Sequence, residues 1–297
     1  MRKTLVIIAL LLCPLLLCAQ ETASVAMPFS IVPRNVRTLS LGGLTTAYSS
    51  AFRLFGDEQL DFNFSWYKFA PETAGSDDLN LGAFVRVSSR VAIAAEIGLD
   101  IARKYYIYDA NGAKSGSYVP RDMIVKIGAA YRIGPRLSAG LDLRYMHSSL
   151  TPAFSLSALA ADLMLGADLG AVKIAGGLSS VGTPVRAMGG SLFSLPAALT
   201  LAGNYRCSFA GRHSVDAGLQ ADYFFVGGFR AGAGVEYGYK DRIFARAGYC
   251  LGLNSPFPTY LSFGIGAKYK GICFNAAYLL GTEAIGNTVA VGAGLEF

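Results

Sequence analysis

Apolar and polar residues alternate along most of this chain with a period of two, and few architectures use so much of that pattern. In "RLSAGLDLRYMH" Leu137, Ala139, Leu141, Leu143 and Tyr145 share one face, while Ser138, Gly140, Asp142 and Arg144 share the other. The same division runs through "HSVDAGLQADYFF", with Asp216, Gly218, Gln220 and Asp222 on the polar side. It recurs in "FRAGAGVEYGY", with Arg230, Gly232, Gly234 and Glu236. Such alternation marks strands with one apolar face. A soluble sandwich turns that face inward, whereas an outer-membrane barrel turns it to lipid and lines its lumen with polar and small residues.

Length, composition and export favour the barrel. The alternating stretches exceed the five or six residues usual for globular strands and suit a tilted bilayer crossing. The chain is 53% hydrophobic and 15% charged, against about a quarter charged in soluble domains. Helical spans would need uninterrupted apolar runs of about 20 residues. The two uncharged stretches of that length, 187–205 and 247–267, are broken by "MGGS" with Pro196 and by "NSPFPT". The opening "MRKTLVIIALLLCPLLLCAQ" has basic Arg2 and Lys3, an apolar run and a small Ala19, the parts of a secretory signal. Residues 1–19 are therefore expected to be a cleaved signal peptide, and the mature protein to reach the outer membrane of a Gram-negative cell.

The expected fold class is all-β, a transmembrane antiparallel β-barrel of about 14 strands over residues 60–297. The alternating stretches are 60–69, 79–87, 91–101, 121–132, 136–147, 156–168, 171–178, 196–206, 213–225, 229–239, 243–251, 260–269, 272–280 and 286–297. Their connections supply an independent check, because such barrels pair short periplasmic turns with longer external loops. Connections at one end, including "SSR", "IGP", "LG", "KDR" and "KG", are short. Most at the other end are longer, among them 102–120, "SSLTPAFS" and "SVGTPVRAMGGSLFSL".

The inward faces carry both signs of charge: Arg86, Lys126, Arg132, Arg144, Arg206, Arg230, Arg246 and Lys268 against Glu96, Asp100, Asp142, Asp162, Asp216, Asp222 and Glu236. Mixed signs predict a packed or plugged lumen rather than an ion channel with a ring of one charge. The formal charge of +6 is spread along the chain, without the clustered basic surface of a nucleic-acid binder. Cys207, Cys250 and Cys273 lack zinc spacing. "GAGVEYG" and "GIGAKYKG" fit no nucleotide loop. No cofactor and no metal are expected; Asp57 and Glu58 alone offer too few oxygen ligands for a cation.

Two histidines require attention as catalytic groups. His147 stands beside Ser148 and Ser149 at an external strand end, but adjacent serines point to opposite faces and no acidic orienter lies nearby in sequence. His213 falls at a periplasmic turn. The expectation is no enzyme. Trp66, Tyr131, Tyr145, Tyr205, Tyr237 and Tyr269, near strand ends, read as interface girdles.

Before the first strand, residues 20–59 are apolar and poor in disorder-promoting residues, and are expected to form a plug inside the lumen, with Arg34 and Arg37 facing acidic wall residues. Expected plug and lumen contacts are Arg34, Arg37, Gly42, Gly43, Asp142, Arg144, Asp222, Arg230, Glu236 and Arg246. "PRNVRTLSLGGLTTAYSS", followed by "LDFNFSWYKFAPE", "RDMIVKIGAAYRIGPRLSAGLDLRYMHSSL" and "IFARAGY", resembles the FadL-like outer-membrane proteins, and more closely the PorV/PorQ family of the Bacteroidota. The resemblance implies a fourteen-stranded barrel with an N-terminal plug. It also implies one of two functions: a non-catalytic partner in type IX secretion and surface attachment, meeting secretion components or cargo proteins, or a FadL-like conduit for a hydrophobic ligand. The terminal "NTVAVGAGLEF" puts Val289, Val291, Ala293, Leu295 and Phe297 on the lipid side. Phe297 resembles the signal read by barrel-assembly machinery, a further expected partner beside outer-membrane lipid.

Overall fold

The computed structural model describes residues 25–56, 58–69, 75–187, 190–281 and 286–297, side chains of 47 and 48 excepted. The signal segment 1–19, the first plug residues 20–24 and Asp57 lie outside these.

The strands follow the alternation. The first are β1 (Leu60–Phe69), β2 (Ser76–Arg86), β3 (Val91–Ala102), β4 (Tyr105–Tyr108), β5 (Lys114–Tyr118) and β6 (Arg121–Arg132). Next come β7 (Leu137–Thr151), β8 (Phe154–Asp168), β9 (Val172–Gly182), β10 (Val185–Arg186), β11 (Leu192–Phe193) and β12 (Ala198–Phe209). The last are β13 (His213–Phe224), β14 (Phe229–Tyr239), β15 (Ile243–Leu253), β16 (Tyr260–Tyr269), β17 (Ile272–Gly281) and β18 (Asn287–Glu296).

Among the described residues, fourteen of these form a closed antiparallel barrel in which β1 pairs with β18; β4–β5 and β10–β11 are separate hairpins in the long connections. The seam runs from Asp61↔Glu296 to Lys68↔Val289. Closure removes the sheet edges that an open sheet would expose. Phe297 lies one residue past β18 and is still held: its carbonyl accepts from Gln59 (2.6 Å) and Leu60 (3.0 Å), and its N–H donates to the Leu60 carbonyl at 2.9 Å. Its ring lies where a side chain on Gly271 would be, 2.5 Å from that glycine's absent Cβ.

Exposure separates lipid wall from soluble core. Ile127, Leu219 and Ile265 are 65%, 66% and 67% exposed, and the other large apolar residues of the outward register are open as well. In water this continuous apolar belt would be untenable. Around a closed barrel it is the lipid-facing wall, and it places the protein in the outer membrane.

The periplasmic turns have the local chemistry of tight hairpins. Consecutive residues have positive φ in Ala210–Gly211 (51° and 62°), Lys240–Asp241 (53° and 50°) and Lys270–Gly271 (48° and 83°), a backbone that matches strand twist; residues 270–271 are a two-residue loop, and 210–212 and 240–242 are three-residue loops. The external connection after β7 departs from the long loop expected for "SSLTPAFS". β7 and β8 extend to Thr151 and Phe154, leaving residues 152–153 as the turn.

Candidate functional site

Inward side chains converge on the N-terminal segment. It contains short helices at Pro28–Ile31, Val36–Ser40, Thr45–Tyr48 and Ser50–Arg53. Asn35 caps the second: its side chain accepts from the Arg37 N–H at 2.8 Å. One face of that helix, Val36 and Leu39, packs among the inward Tyr67, Phe69, Tyr260 and Leu279. The lumen wall is therefore apolar where the segment is apolar, a match that strand alternation does not reveal.

The arginines of the segment reach the wall. Arg37 donates to both carboxylate oxygens of Glu236, at 2.8 and 2.6 Å, and Arg246 donates to the same carboxylate. Arg34 donates to Asn80 at 2.8 Å and lies 3.6 Å from Asp78 and 3.9 Å from Glu96. From the wall, Arg230 binds Asp222 at 2.8 Å and the Ile31 carbonyl at 3.2 Å. Arg144 binds Asp162, and the Ser30 carbonyl at 3.2 Å. Asp142 accepts from Ser50 at 3.0 Å. Arg53 bridges Glu58 (2.8 Å) and Asp61 (2.6 Å) under the Phe84 ring; burial, then a hydrogen bond with Glu296, pushes the Glu58 carboxyl up. Arg206, expected inside, stands at the periplasmic rim with its side chain 59% exposed, 3.7 Å from Asp241.

Gly42 and Gly43, with φ of 70° and 80°, turn the segment against the wall. A Cβ on Gly42 would lie 2.5 Å from the Tyr249 carbonyl oxygen and 2.6 Å from that of Ala233. The wall answers with its own glycines: a Cβ on Gly234 would lie 2.5 Å from the Leu41 carbonyl oxygen, and one on Gly232 the same distance from that of Gly42. The lumen glycines admit backbone against backbone.

Two cavities differ in character. The lower, about 150 Å³, is ringed by charge and includes Arg34, Lys126, Asp142, Arg144, Asp162, Asp222 and Arg230. The upper, about 340 Å³, opens at the external end, walled by Val25, Ala26, Met27, Pro28, Phe29, Leu150, Leu156, Val185, Ala187 and Phe193, with Asp122 and Ser148 as its polar side chains. An apolar cluster of Phe29, Ile124, Met146, Ala158 and Leu195 adjoins it. Among the inward residues Phe84, Met146 and Phe224, Met146 joins this cluster, whereas Phe84 packs with Leu54, Ala92 and Ala130.

The wall is irregular beside the lower cavity, which Asp162, Ser179 and Ser180 help to line. Between Ala161↔Val181 and Leu163↔Leu178 the β8–β9 register slips, so Ser179 and Ser180 oppose the single Asp162. Ser180 has φ of 54°, and its N–H donates to Asp162 at 2.7 Å. This is a β-bulge, which bends its strand. β9 pairs with β12 only as far as Ser179↔Ala198, and the remaining residues of β9 pair with β8 alone.

His147 meets a different serine from those adjacent in sequence: its Nδ1 is 2.9 Å from Ser157 Oγ on the neighbouring strand. Ser148 is buried and inward, and Ser149 is bonded to Tyr118. Among the described residues no carboxylate pairs with the His147 ring.

Closed strand order, lipid-facing belt and a lumen occupied by the N-terminal segment define a fourteen-stranded outer-membrane β-barrel. Among solved structures, the fold is similar to the Ralstonia pickettii toluene transporter TbuX (TM-score 0.64, 13% identity, covering 91% of this chain and 100% of that one). It is similar also to the P. putida toluene transporter TodX (TM-score 0.59, 13% identity, 90% and 99% covered). A Pseudomonas aeruginosa FadL homologue matches with TM-score 0.54 and 11% identity, 90% and 99% covered. No protein-family model and no curated protein sequence matches the chain.

Proposed function

We propose that this protein is a non-catalytic conduit for hydrophobic small molecules, with the N-terminal segment as its plug. The observation that carries the reading is the apolar cavity at the external mouth, above a charged lumen that the bulged β9 borders. An apolar solute moving straight down would separate buried ion pairs, at a cost of about 3–5 kcal/mol for each pair broken. Moving sideways below the cavity, it meets the stretch beyond Ser179↔Ala198 where, among the described residues, β9 no longer pairs with β12. Ligand therefore enters from outside and leaves through the wall. The fold shared with proteins described as toluene transporters supports this reading. The test is uptake of labelled toluene across the outer membrane of cells producing the protein; a rate equal to that of cells lacking it would sink the proposal.

One observation favours a second reading, a PorV/PorQ-type partner of type IX secretion. The external β4–β5 hairpin presents Tyr105, Tyr106, Ile107 and Tyr108 to solvent, a surface on which a secretion component or cargo protein would dock. Pull-down from the native outer membrane separates the readings: recovered secretion components support the second, and their absence removes it. In either reading Phe297 serves recognition by the barrel-assembly machinery.

A further inference from the structure

The upper cavity carries a carboxylate as well as apolar walls. Of the described residues lining it, Asp122 is the one ionisable group, and its Oδ1 is buried without a hydrogen-bond partner. Asp122 stands in a row across three strands: Asp78 pairs in register with Asp100, and Asp100 with Asp122. In-register partners share a face, so all three carboxyl groups lie side by side on the inward side. Arg34 reaches Asp78 and Glu96, and among the described residues no cation comes within ion-pair distance of Asp100 or Asp122. Ser148 hydrogen-bonds the Asp122 side chain, but a carboxylate against apolar walls is costly unless an opposite charge pairs with it.

We infer that the cavity takes hydrophobic amines: an apolar body against Met27, Phe29, Leu156 and Phe193, and an ammonium head donating to Asp122, with Ser148 beside it. This rests on the reading of the cavity as the ligand entrance and adds the ligand's chemical class. A cationic donor gains a charge-assisted hydrogen bond that a hydrocarbon cannot make. A carboxylate-headed ligand of the same shape meets like charge from the aspartate row, so the site discriminates by repulsion as well as attraction.

The test uses three probes of one shape, 4-phenylbutylamine, pentylbenzene and 5-phenylpentanoate, titrated calorimetrically into the full chain in detergent and corrected against empty micelles. The amine should bind about tenfold more tightly than pentylbenzene, and the carboxylate more weakly than either, one charge-assisted bond being worth at least that factor. Asp122→Asn should abolish the preference for the amine while pentylbenzene still binds, which also reports that the variant is folded. Equal binding of amine and pentylbenzene by the wild type, or a preference that survives in Asp122→Asn, overturns the inference while the conduit reading stands. If none of the three probes binds, the conduit reading falls and this inference with it. Should Asp122→Asn fail to fold, the wild-type series alone decides.

Discussion

Arg37 and Glu236 meet side-on, Nε to Oε2 at 2.8 Å and Nη2 to Oε1 at 2.6 Å, across 199 residues of chain. The Arg246 guanidinium shares that carboxylate from the neighbouring strand β15. One wall residue thus holds a second wall strand and the N-terminal segment together. Removing the carboxylate leaves two guanidiniums facing each other, and the Arg246 side chain is only 3% exposed. Glu236→Ala should therefore cost about 3–5 kcal/mol. Arg37→Ala leaves Glu236 paired with Arg246 and should cost about 1.5–3 kcal/mol. Urea unfolding of the barrel in lipid vesicles checks the order; a larger loss for Arg37→Ala contradicts the shared-carboxylate arrangement.

Gly42 sets its backbone directly against the wall at Tyr249 and Ala233. Gly42→Val adds two clashes with carbonyl oxygens and imposes a side chain on a left-handed backbone. The segment should lift from the wall while the barrel persists. Expected readouts are faster proteolysis within residues 25–56 and a larger single-channel conductance in planar bilayers. Unchanged conductance with wild-type proteolysis would refute the plug role.

The bulge at Ser179–Ser180 gives a sharper test of the lateral route. Deleting Ser180 restores one-to-one pairing with β8 without changing which face Leu178 and Val181 occupy, since both are exposed outward around the slip. Toluene uptake should fall to the level of cells without the protein, with heat-modifiable migration on gels retained. Full uptake in a folded deletion variant would exclude exit at β9.

Phe297→Ala tests the seam. Its backbone bonds to Gln59 and Leu60 remain, but the ring packed over Gly271 is lost. The expected outcome is a lower yield of heat-modifiable barrel in the outer membrane, with a modest loss of stability once folded. Assembly at the wild-type yield would show that the ring has no part in insertion.

Much of the barrel is legible in the sequence because each strand has one face in lipid and one in the lumen, so burial is decided locally, residue by alternate residue. The stretches 60–69, 121–132, 229–239, 260–269 and 272–280 coincide with strands to within a residue. The pattern fails where that condition fails. The alternation reading ends its seventh strand at Leu178, because the bulge puts Leu178 and Val181 on one face three residues apart. It passes over β4 and β5, where every residue of Tyr105–Tyr108 is exposed and no face is distinguished from the other.

The candidate site divides the same way. Composition and periodicity place arginines and carboxylates of both signs on the inward register, a consequence of the cost of charge in lipid. Which partners meet is beyond periodicity: Arg37 with Glu236 and Arg34 with Asp78 and Asn80 are choices made by where the N-terminal segment lies. The upper cavity is assembled from residues 25–29, the ends of β6, β7 and β8, and the 183–197 connection. Sequence alone determined a closed, lipid-facing wall, because one-sided strands of this length have few other uses. Tertiary structure alone decided where that wall is bent and which apolar segments meet beside Asp122, because those contacts join parts of the chain that share no local pattern.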